Sequence, residues 1–471
     1  MSVDRTIKPE ALPQFPWPMP GPNERVALFT APVELTVGDK RIPGQCEFAW
    51  SLTPHPCLEC RVLVEESGKA IVTLRGFAEL VVKDGTEVAF PVFVRAVRLV
   101  SGRPAEISAV VPQGLCIGDT DHAECLLFQI VNFGDFHCGS DYVCELPGGG
   151  WSRLGHIQLQ CDNWAFEITQ VLNAQKGIRE AEASEGFAVT HVGCLSRPDS
   201  ALFTFPEARA ALHMLHHFLG FVCGRWCGPT IGVGQDAQGE SISWHWSMYT
   251  VDSWRTRRTW FPGMHADVLK QLFPSFARMW GNRTWQDPLR YAVYWYLLAN
   301  NLPNVEARVV LLQNALELLS WTYAVEDRQL LSSRGFKKLW ASDEIRILLF
   351  SLDIPMAIPP DLPRLARVAS SLKLTDGPHV FTGVRNAIVH PDPKRRDQLI
   401  DVSDEAQVLG LWYVELALLR LLGYSGPYHS RMKRMCSSDV EDVPWADTVP
   451  EASREHSNGT QEDEAGREPE A

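Results

Sequence analysis

The spacing of apolar residues changes along the chain, and this change most constrains the fold. From residue 25 to 200 the apolar runs are short and rich in β-branched residues, as in ELVVKDGTEVAFPVFV, where Asp84 and Gly85 separate two alternating segments. Alternation is typical of half-buried strands, and an Asp-Gly pair favours the tight turn of a hairpin. We therefore predict a β-rich N-terminal domain over residues 25–200, built as a sandwich or an open barrel.

From residue 287 the apolar residues follow the helical period instead. In the segment that Asn304 is placed to cap, Val309 and Leu312 belong to one apolar stripe. Several such segments follow one another, which predicts a compact up-and-down helical bundle over residues 287–425. Residues 201–286 are predicted to be a mixed helical and Trp-rich connecting region. The predicted fold class is therefore α+β multidomain, with a β-rich half followed by an all-α bundle.

Both ends of the chain are predicted to lie outside these domains. Residues 1–24 are rich in proline, which predicts a leader without a core of its own. Residues 437–471 contain eleven acidic and two basic side chains, a net charge of −9 within a total of −13. This composition predicts a disordered acidic tail whose removal leaves the melting temperature unchanged. The rest of the chain then carries −4 (−13 minus −9), so net charge excludes no class of partner.

Neither a signal peptide nor a long apolar segment is present, which predicts a cytoplasmic protein without a membrane partner. In that compartment the 12 cysteines are expected to be reduced, unpaired and mostly buried. His55, Cys57 and Cys60 are zinc-ligand types, but the second CxxC pair of a zinc site is missing. His213 and His217 are spaced to chelate a metal, although the polar face of a helix also explains them. We predict no metal and no cofactor, and leave open whether Cys57 and Cys60 bind one.

The segment FTGVRNAIVHPDPKRR, residues 381–396, is the best candidate for a chemical site. Arg385, Asn386 and His390 lie on a predicted helix that Pro391 ends. Five residues along an ideal helix are about 140° apart, which would separate the arginine from the histidine. A residue before proline is pushed out of the α region, however, so His390 can turn toward Arg385. The alternative interpretation is a histidine favoured by the helix dipole and an arginine facing solvent.

The sequence RNAIVHP within a helical bundle resembles the HEPN superfamily, whose motif is an arginine, a polar residue, and a histidine four to six residues after the arginine. The resemblance covers roughly residues 287–424. A β-rich half followed by such a bundle is similar to ApeA-type bacterial anti-phage proteins. The resemblance implies that Arg385, Asn386 and His390 are catalytic. It also implies that two such motifs meet in a homodimer formed through the bundle.

These residue types suit the cleavage of RNA without a metal. A histidine can act as acid or base near neutral pH, and a guanidinium holds phosphate oxygens at two points. We therefore expect a metal-independent RNA endonuclease of toxin or anti-phage defence type. The β-rich half would sense an unknown trigger or restrain the nuclease. The alternative is a non-catalytic HEPN module that serves as a dimerisation or binding scaffold.

Three weaker predictions concern a basic triplet beside the motif, a segment rich in arginine and tryptophan, and one glutamate. Lys394, Arg395 and Arg396 could follow an RNA backbone, although a basic triplet is also typical of a solvated loop. Trp254–Trp260, WRTRRTW, could stack on a single strand, although ordinary packing of arginine on tryptophan explains it as well. Glu317 could contact and position the residues of the site without touching the substrate, or could be an ordinary residue on a helix surface.

Overall fold

The computed structural model of the chain describes residues 5–37, 40–65, 74–83, 87–101, 103–146, 149–390, 396–433 and 440–446. The predicted fold class is confirmed, because a β-rich half precedes a helical region. The strands, in chain order, are β1 Arg5–Ile7, β2 Arg25–Val37, β3 Lys40–Ser51, β4 Cys57–Val64, β5 Gly76–Val82, β6 Val88–Arg98, β7 Ala105–Val110, β8 Leu115–Gly118, β9 Cys125–Val131, β10 Tyr142–Glu145, β11 Trp151–Leu154, β12 His156–Cys161, β13 Trp164–Gln170, β14 Val189–Ser196, β15 Gly228–Gln235, β16 Ser241–Trp246, β17 Pro427–Tyr428 and β18 Glu441–Asp442.

The helices follow the same chain order, with most of them in the second half. They are α1 Ala174–Ser184, α2 Phe205–Cys223, α3 Val268–Gly281, α4 Gln286–Asn301, α5 Val305–Trp321, α6 Ser333–Phe336, α7 Ala341–Ser351, α8 Pro363–Leu372, α9 Gly377–Val389, α10 Arg396–Ile400 and α11 Ser403–Leu421. A short π-helical segment, Thr322–Asp327, continues α5. Asn304 caps α5 as predicted, because its side chain accepts a hydrogen bond from the amide of Ala307 at 2.8 Å.

Six strands close into a barrel in the order β2-β3-β4-β7-β6-β5. Strand β5 pairs with β6 as the predicted hairpin and also pairs back to β2, so the barrel is closed and not open. The predicted turn residues Asp84 and Gly85 lie outside the described residues. Alternate side chains such as Val62 and Val64 are fully buried, as the alternation of a barrel strand requires.

A seven-stranded sheet, in the order β12-β13-β14-β9-β15-β16-β8, separates two hydrophobic cores. Phe128 on β9 belongs to the core shared with the helices, whereas Ile231 and Val233 on β15 belong to the core shared with the barrel. Strands β15 and β16 come from residues 201–286, the predicted connecting region. That region is therefore an integral part of the sheet, and not a connection between domains.

The helical bundle and the sheet share one continuous core. It includes Phe128 on β9, Phe218 on α2, Tyr296 on α4 and Val384 on α9. Helix α2 covers one face of the sheet, and α4 continues from it into the bundle. The bundle therefore folds on the sheet and is not an independent unit.

Both ends of the chain contribute to these cores, contrary to the prediction. Strand β1 pairs with β10, and the ring of Trp17 stacks on Trp244 with 4.9 Å between centroids. At the other end, Trp445 is 0% exposed and its indole N–H donates to the carbonyl of Tyr424 at 2.7 Å. The predicted disorder from residue 437 therefore does not hold for residues 440–446, because burial of one indole outweighs the acidic neighbours. The tail after residue 446 lies outside the described residues.

Ending the chain at Cys436 should lower the melting temperature by several degrees, because the site of Trp445 would be left empty. Removing a buried aromatic side chain typically costs about 3–5 kcal/mol. Thermal denaturation followed by circular dichroism would measure the shift, with the full-length Trp445→Ala variant beside it. A chain that ends at Ala446 is the control and should melt like the whole protein. Equal melting of both truncated chains would show that this segment adds no stability.

Cys125 and Cys194 are joined by a disulfide between the neighbouring strands β9 and β14, with 6.4 Å between their Cα atoms. The expectation that every cysteine is reduced therefore does not hold for this pair. The nine other cysteines in the described ranges are unpaired. Within those ranges, no helix combines the length and the apolar character that a membrane crossing requires.

Candidate active site

Helix α9 carries the predicted motif and begins at a strong cap. The Asp376 carboxylate accepts a hydrogen bond from the His379 amide at 2.9 Å, and Pro378 lies in the first turn. Arg346 of α7 donates to the same carboxylate from Nε at 2.8 Å and from Nη2 at 3.1 Å. Burial alone would raise the pKa of Asp376, but the hydrogen bonds from Arg346 and the His379 amide hold it below its usual range. The start of α9 is therefore fixed against α7.

The other end of α9 breaks at His390, as predicted. Its amide still donates to the Asn386 carbonyl at 2.7 Å, but its backbone lies at φ −127° and ψ 79°. The following residue in the sequence is Pro391, and a proline disfavours the α conformation at the residue before it. The imidazole is exposed and makes no hydrogen bond or ion pair with any residue that the structure describes. Its two nitrogens are therefore available to a ligand.

Arg385 and Asn386 are joined by a hydrogen bond. Nη1 of Arg385 donates to Oδ1 of Asn386 at 3.3 Å. The Arg385 side chain is half-buried, and its buried Nε has no hydrogen-bond partner within the described part of the chain. A buried donor without a partner costs about 1–3 kcal/mol unless water or a ligand completes it. The guanidinium has five N–H groups and, among the described residues, only the one on Nη1 is used, so the other Nη donors can bind an anion.

A cavity of about 660 Å³ opens beside α9, between that helix, the start of α7 and the end of α8. Its polar wall carries His379, Asn386 and His390, with Gly383 between them. These four residues follow the i, i+4, i+7, i+11 stripe of one helix face. Arg385 does not line the cavity. Asn386 and His390 are thus brought together in one chain, and Arg385 is linked to them only through Asn386.

Two further residues of this cavity are not predicted by the spacing of the motif. His379 lies on the same wall, with its Nδ1 3.3 Å from the Thr375 hydroxyl. The helical stripe that it shares with His390 is a signal in the sequence that could have identified it. Arg346 also lines the cavity, but both Asp343 and Asp376 bind its guanidinium, so its charge is neutralised.

The basic triplet lies at the edge of the described residues. Lys394 and Arg395 are outside them, and for Arg396 only the backbone, at the start of α10, is described. The predicted RNA contacts of these three side chains therefore remain predictions.

Glu317 lies in a different cavity, of about 410 Å³, which it shares with Glu344 and Lys337. Its carboxylate accepts a hydrogen bond from the Gln313 side chain at 2.6 Å. No hydrogen bond or ion pair joins Glu317 to Arg385 in the described structure. The geometry therefore does not support the predicted role of Glu317 behind the motif.

The two carboxylates of this second cavity predict a pH effect on stability. Burial, and then the charge of Glu317, raises the pKa of Glu344 to about 7. The folded chain therefore binds this proton more tightly than the unfolded chain, and the resulting stability is lost as pH rises from the ordinary glutamate range through about 7. Glu344→Gln should melt at a higher temperature than the wild type at pH 8 and almost equally at pH 5.

Melting curves at a series of pH values would measure this difference. Glu240→Gln, a change at an exposed carboxylate in the loop between β15 and β16, is the matched control and should show no pH-dependent difference. A constant difference between Glu344→Gln and wild type at all pH values would contradict the prediction.

The segment Trp254–Trp260 is packed inside the protein. Trp254 and Trp260 are buried, and the guanidinium of Arg225 lies 4.3 Å from the ring centre of Trp254. Arg258 donates from Nη2 to the carbonyl of Ser430 at 2.6 Å. This arrangement favours the packing interpretation over a stacking surface for RNA.

Among the candidate metal ligands, Cys57, Cys60 and His217 are buried, His213 is half-buried and His55 is exposed. Burial raises the pKa of the Cys57 thiol to about 11, and the pKa of Cys60 is also raised by burial. Burial lowers the pKa of His217 to about 4, and its ring lies 4.8 Å from that of Trp280. His217 is thus in an aromatic core and not on a polar helix face. No group of three His, Cys, Asp or Glu side chains suited to a metal occurs in the described ranges.

Comparison with known proteins matches the sheet and the bundle separately. Residues 118–257 match the family described as YopA central domain, and residues 282–441 match the family described as YopA C-terminal domain. The chain is 28% identical over 440 residues to the SPbeta prophage-derived uncharacterized protein YopA of Bacillus subtilis (strain 168), which covers 90% of this chain and 95% of that protein. No solved structure matches the chain significantly. Over its central sheet and its helical bundle, the chain is therefore similar to YopA proteins.

Proposed function

We propose that the chain is a cytoplasmic, metal-independent RNA endonuclease of HEPN type, with Arg385, Asn386 and His390 as its catalytic residues. One observation carries the proposal: the end of α9 presents an exposed imidazole without a partner among the described residues, five positions after an arginine whose one hydrogen bond in the described structure goes to Asn386. Asn386 connects them, since it binds Arg385 and lies beside His390 on the cavity wall. Unpartnered polar groups at a helix break are typical of a site that a ligand completes.

The chemistry follows from these groups. The His390 imidazole takes the proton from a ribose 2′-OH, whose oxygen then attacks the adjacent phosphorus. The bond from phosphorus to the 5′-oxygen breaks, and a protonated imidazole gives a proton to that leaving oxygen. The guanidinium of Arg385 stabilises the charge on the phosphate oxygens. The products are a 2′,3′-cyclic phosphate and a 5′-hydroxyl.

A homodimer formed through the bundle suits this chemistry better than one chain. Arg385 does not line the cavity that holds His390, so a second copy would supply the missing partner. The second copy would also supply the second imidazole that the reaction uses. Val389, next to His390, is 41% exposed and offers apolar surface for such a contact.

The β-rich half would sense a trigger or restrain the nuclease, because a nuclease that is always active harms its own cell. The prophage origin of the Bacillus subtilis relative is compatible with a toxin or anti-phage role. The alternative function is a non-catalytic scaffold that dimerises and binds a partner through the same bundle.

Incubation of the full-length protein with mixed RNA in EDTA tests the proposal. We expect cleavage that EDTA does not reduce, with 2′,3′-cyclic phosphate ends. The double variant Arg385→Lys/His390→Ala, purified in parallel, controls for contaminating nucleases and should be inactive. The wild type and the double variant are also compared on RNA from phage-infected cells, in case the nuclease needs a trigger that such RNA contains. Cleavage that requires Mg²⁺, or that the double variant retains, would contradict the mechanism. Binding of a partner without cleavage of either RNA sample would favour the scaffold.

A further inference from the structure

Trp340 lies at the rim of the cavity beside α9 and is 79% exposed. It precedes α7 on an extended backbone, at φ −78° and ψ 148°. No other aromatic ring or cation packs on its indole among the residues that the structure describes. A large, exposed aromatic ring beside a cavity has both faces open to a flat ligand.

The cavity behind Trp340 has both apolar and polar lining. Leu372, Leu374 and Leu399 supply apolar surface, and Leu374 and Leu399 lie next to Gly383 on the α9 wall that includes Asn386 and His390. A volume of about 660 Å³ lies within the usual range for small-ligand sites. An aromatic face with amide and imidazole groups at its edge is the combination by which proteins hold an unpaired base.

The charge of the cavity distinguishes between forms of RNA. Its described lining holds one cation, Arg346, and two carboxylates already neutralise it. Double-stranded nucleic acid is held mainly by many cationic contacts to phosphates, which this lining does not provide. Single strands are also held by stacking of bases on aromatic side chains, a contact that Trp340 offers and that a paired base inside a duplex cannot make.

We propose that Trp340 and the leucine wall of the cavity bind an unpaired base of single-stranded RNA beside Asn386 and His390. The proposal deepens the proposed function and rests on it for RNA as the ligand. It makes Trp340 a positioning residue, since the indole would hold the base and leave the reacting phosphate to Arg385 and His390.

Binding of a labelled single-stranded RNA oligonucleotide, measured by fluorescence anisotropy, tests this inference without cleavage. All variants carry His390→Ala, so the RNA stays intact. Adding Trp340→Ala should weaken binding roughly 10-fold, the typical effect of losing one stacked base. Trp340→Phe should restore most of the affinity, whereas Trp340→Leu should not. Phe350→Ala is the matched control, because Phe350 is 73% exposed on α7, the helix that follows Trp340, but does not line the cavity.

Three outcomes would overturn the inference. The first is unchanged binding in Trp340→Ala, or full affinity in Trp340→Leu. The second is a duplex of the same sequence, or a nucleoside monophosphate, that binds more tightly than the single strand. The third is a lower molecular mass of Trp340→Ala in light scattering, which would assign the indole to an interface between copies. If binding depends on Trp340 but the wild type does not cleave RNA, the proposed nuclease activity is contradicted and the proposed base-binding site is supported.

Discussion

His390→Ala should lower the rate of RNA cleavage by roughly 10²–10⁴-fold, because it removes the group that moves the proton. Arg385→Lys should lower the rate by about 100-fold or more, since an ammonium cannot hold two phosphate oxygens in the plane of a guanidinium. Initial rates on a labelled RNA would measure both effects. Circular dichroism should show an unchanged fold, because neither side chain is part of a hydrophobic core.

Matched controls exist for both substitutions. His265→Ala changes an exposed imidazole outside the bundle, and Arg367→Lys changes an exposed guanidinium on α8. Both should cleave at the wild-type rate. Full activity of either site variant would contradict the assigned chemistry.

Mixing the two inactive variants tests the composite site. If Arg385 of one copy works with His390 of the other, a mixed dimer of Arg385→Lys and His390→Ala contains one intact site. Activity should then return to part of the wild-type level after the chains exchange. No recovery in a mixture that light scattering shows to be dimeric would place the whole site in one chain.

Glu415→Ala should destabilise the protein by about 3–5 kcal/mol, because it leaves a buried guanidinium unpaired. Glu415 and Arg431 are 0% and 6% exposed, with Nε to Oε2 at 2.7 Å and Nη2 to Oε1 at 2.8 Å. The Tyr296 hydroxyl donates to the same carboxylate at 2.6 Å, and Nη2 of Arg431 also donates to the Arg258 carbonyl at 2.9 Å. The network joins α4 and α11 to the chain segments before and after the bundle. We therefore expect the loss of stability in Glu415→Ala to affect unfolding of the whole protein and not of one segment.

Urea denaturation would measure this loss. The apolar double variant Glu415→Leu/Arg431→Met should be more stable than Glu415→Ala, since it leaves no unpaired charge. Arg255→Ala is the control: it breaks the exposed ion pair with Glu185 and should change the stability by less than about 1 kcal/mol. Equal losses in Glu415→Ala and Arg255→Ala would show that burial adds nothing to this pair.

The parts of the fold that follow local rules could be predicted from the sequence. Helix α4 starts at Gln286, one residue before the predicted start of the bundle at residue 287, and the cap at Asn304 is confirmed. Closure of the barrel depends on the pairing of β2 with β5, which are distant in sequence. Strand β15 was missed because it is buried on both faces and therefore shows no alternation.

The same division applies to the candidate site. The break at His390 follows from the proline that comes next, which is a local rule. The place of Arg385 outside the cavity and that of His379 inside it depend on how α9 is rotated against α7 and α8. No spacing within the motif fixes that rotation. Burial of Trp445 was missed because a single apolar residue hardly changes the composition of an acidic segment.

The sheet with a core on each face also limits how such a protein can diversify. A gene fragment that begins at residue 282 would lack Phe128 and Phe218 of the shared core, and also Phe221, whose ring lies 5.8 Å from that of Tyr296, so it should aggregate and not act as a free toxin. Exchange of the bundle between related proteins is restricted in the same way. A bundle from another protein would need a sheet whose helix-covered face matches it. In the described structure, the barrel instead packs on the other face of the sheet, in a core that includes Ile231 and Val233. We expect new specificities to arise by replacement of the barrel, with the sheet and the bundle inherited as one block.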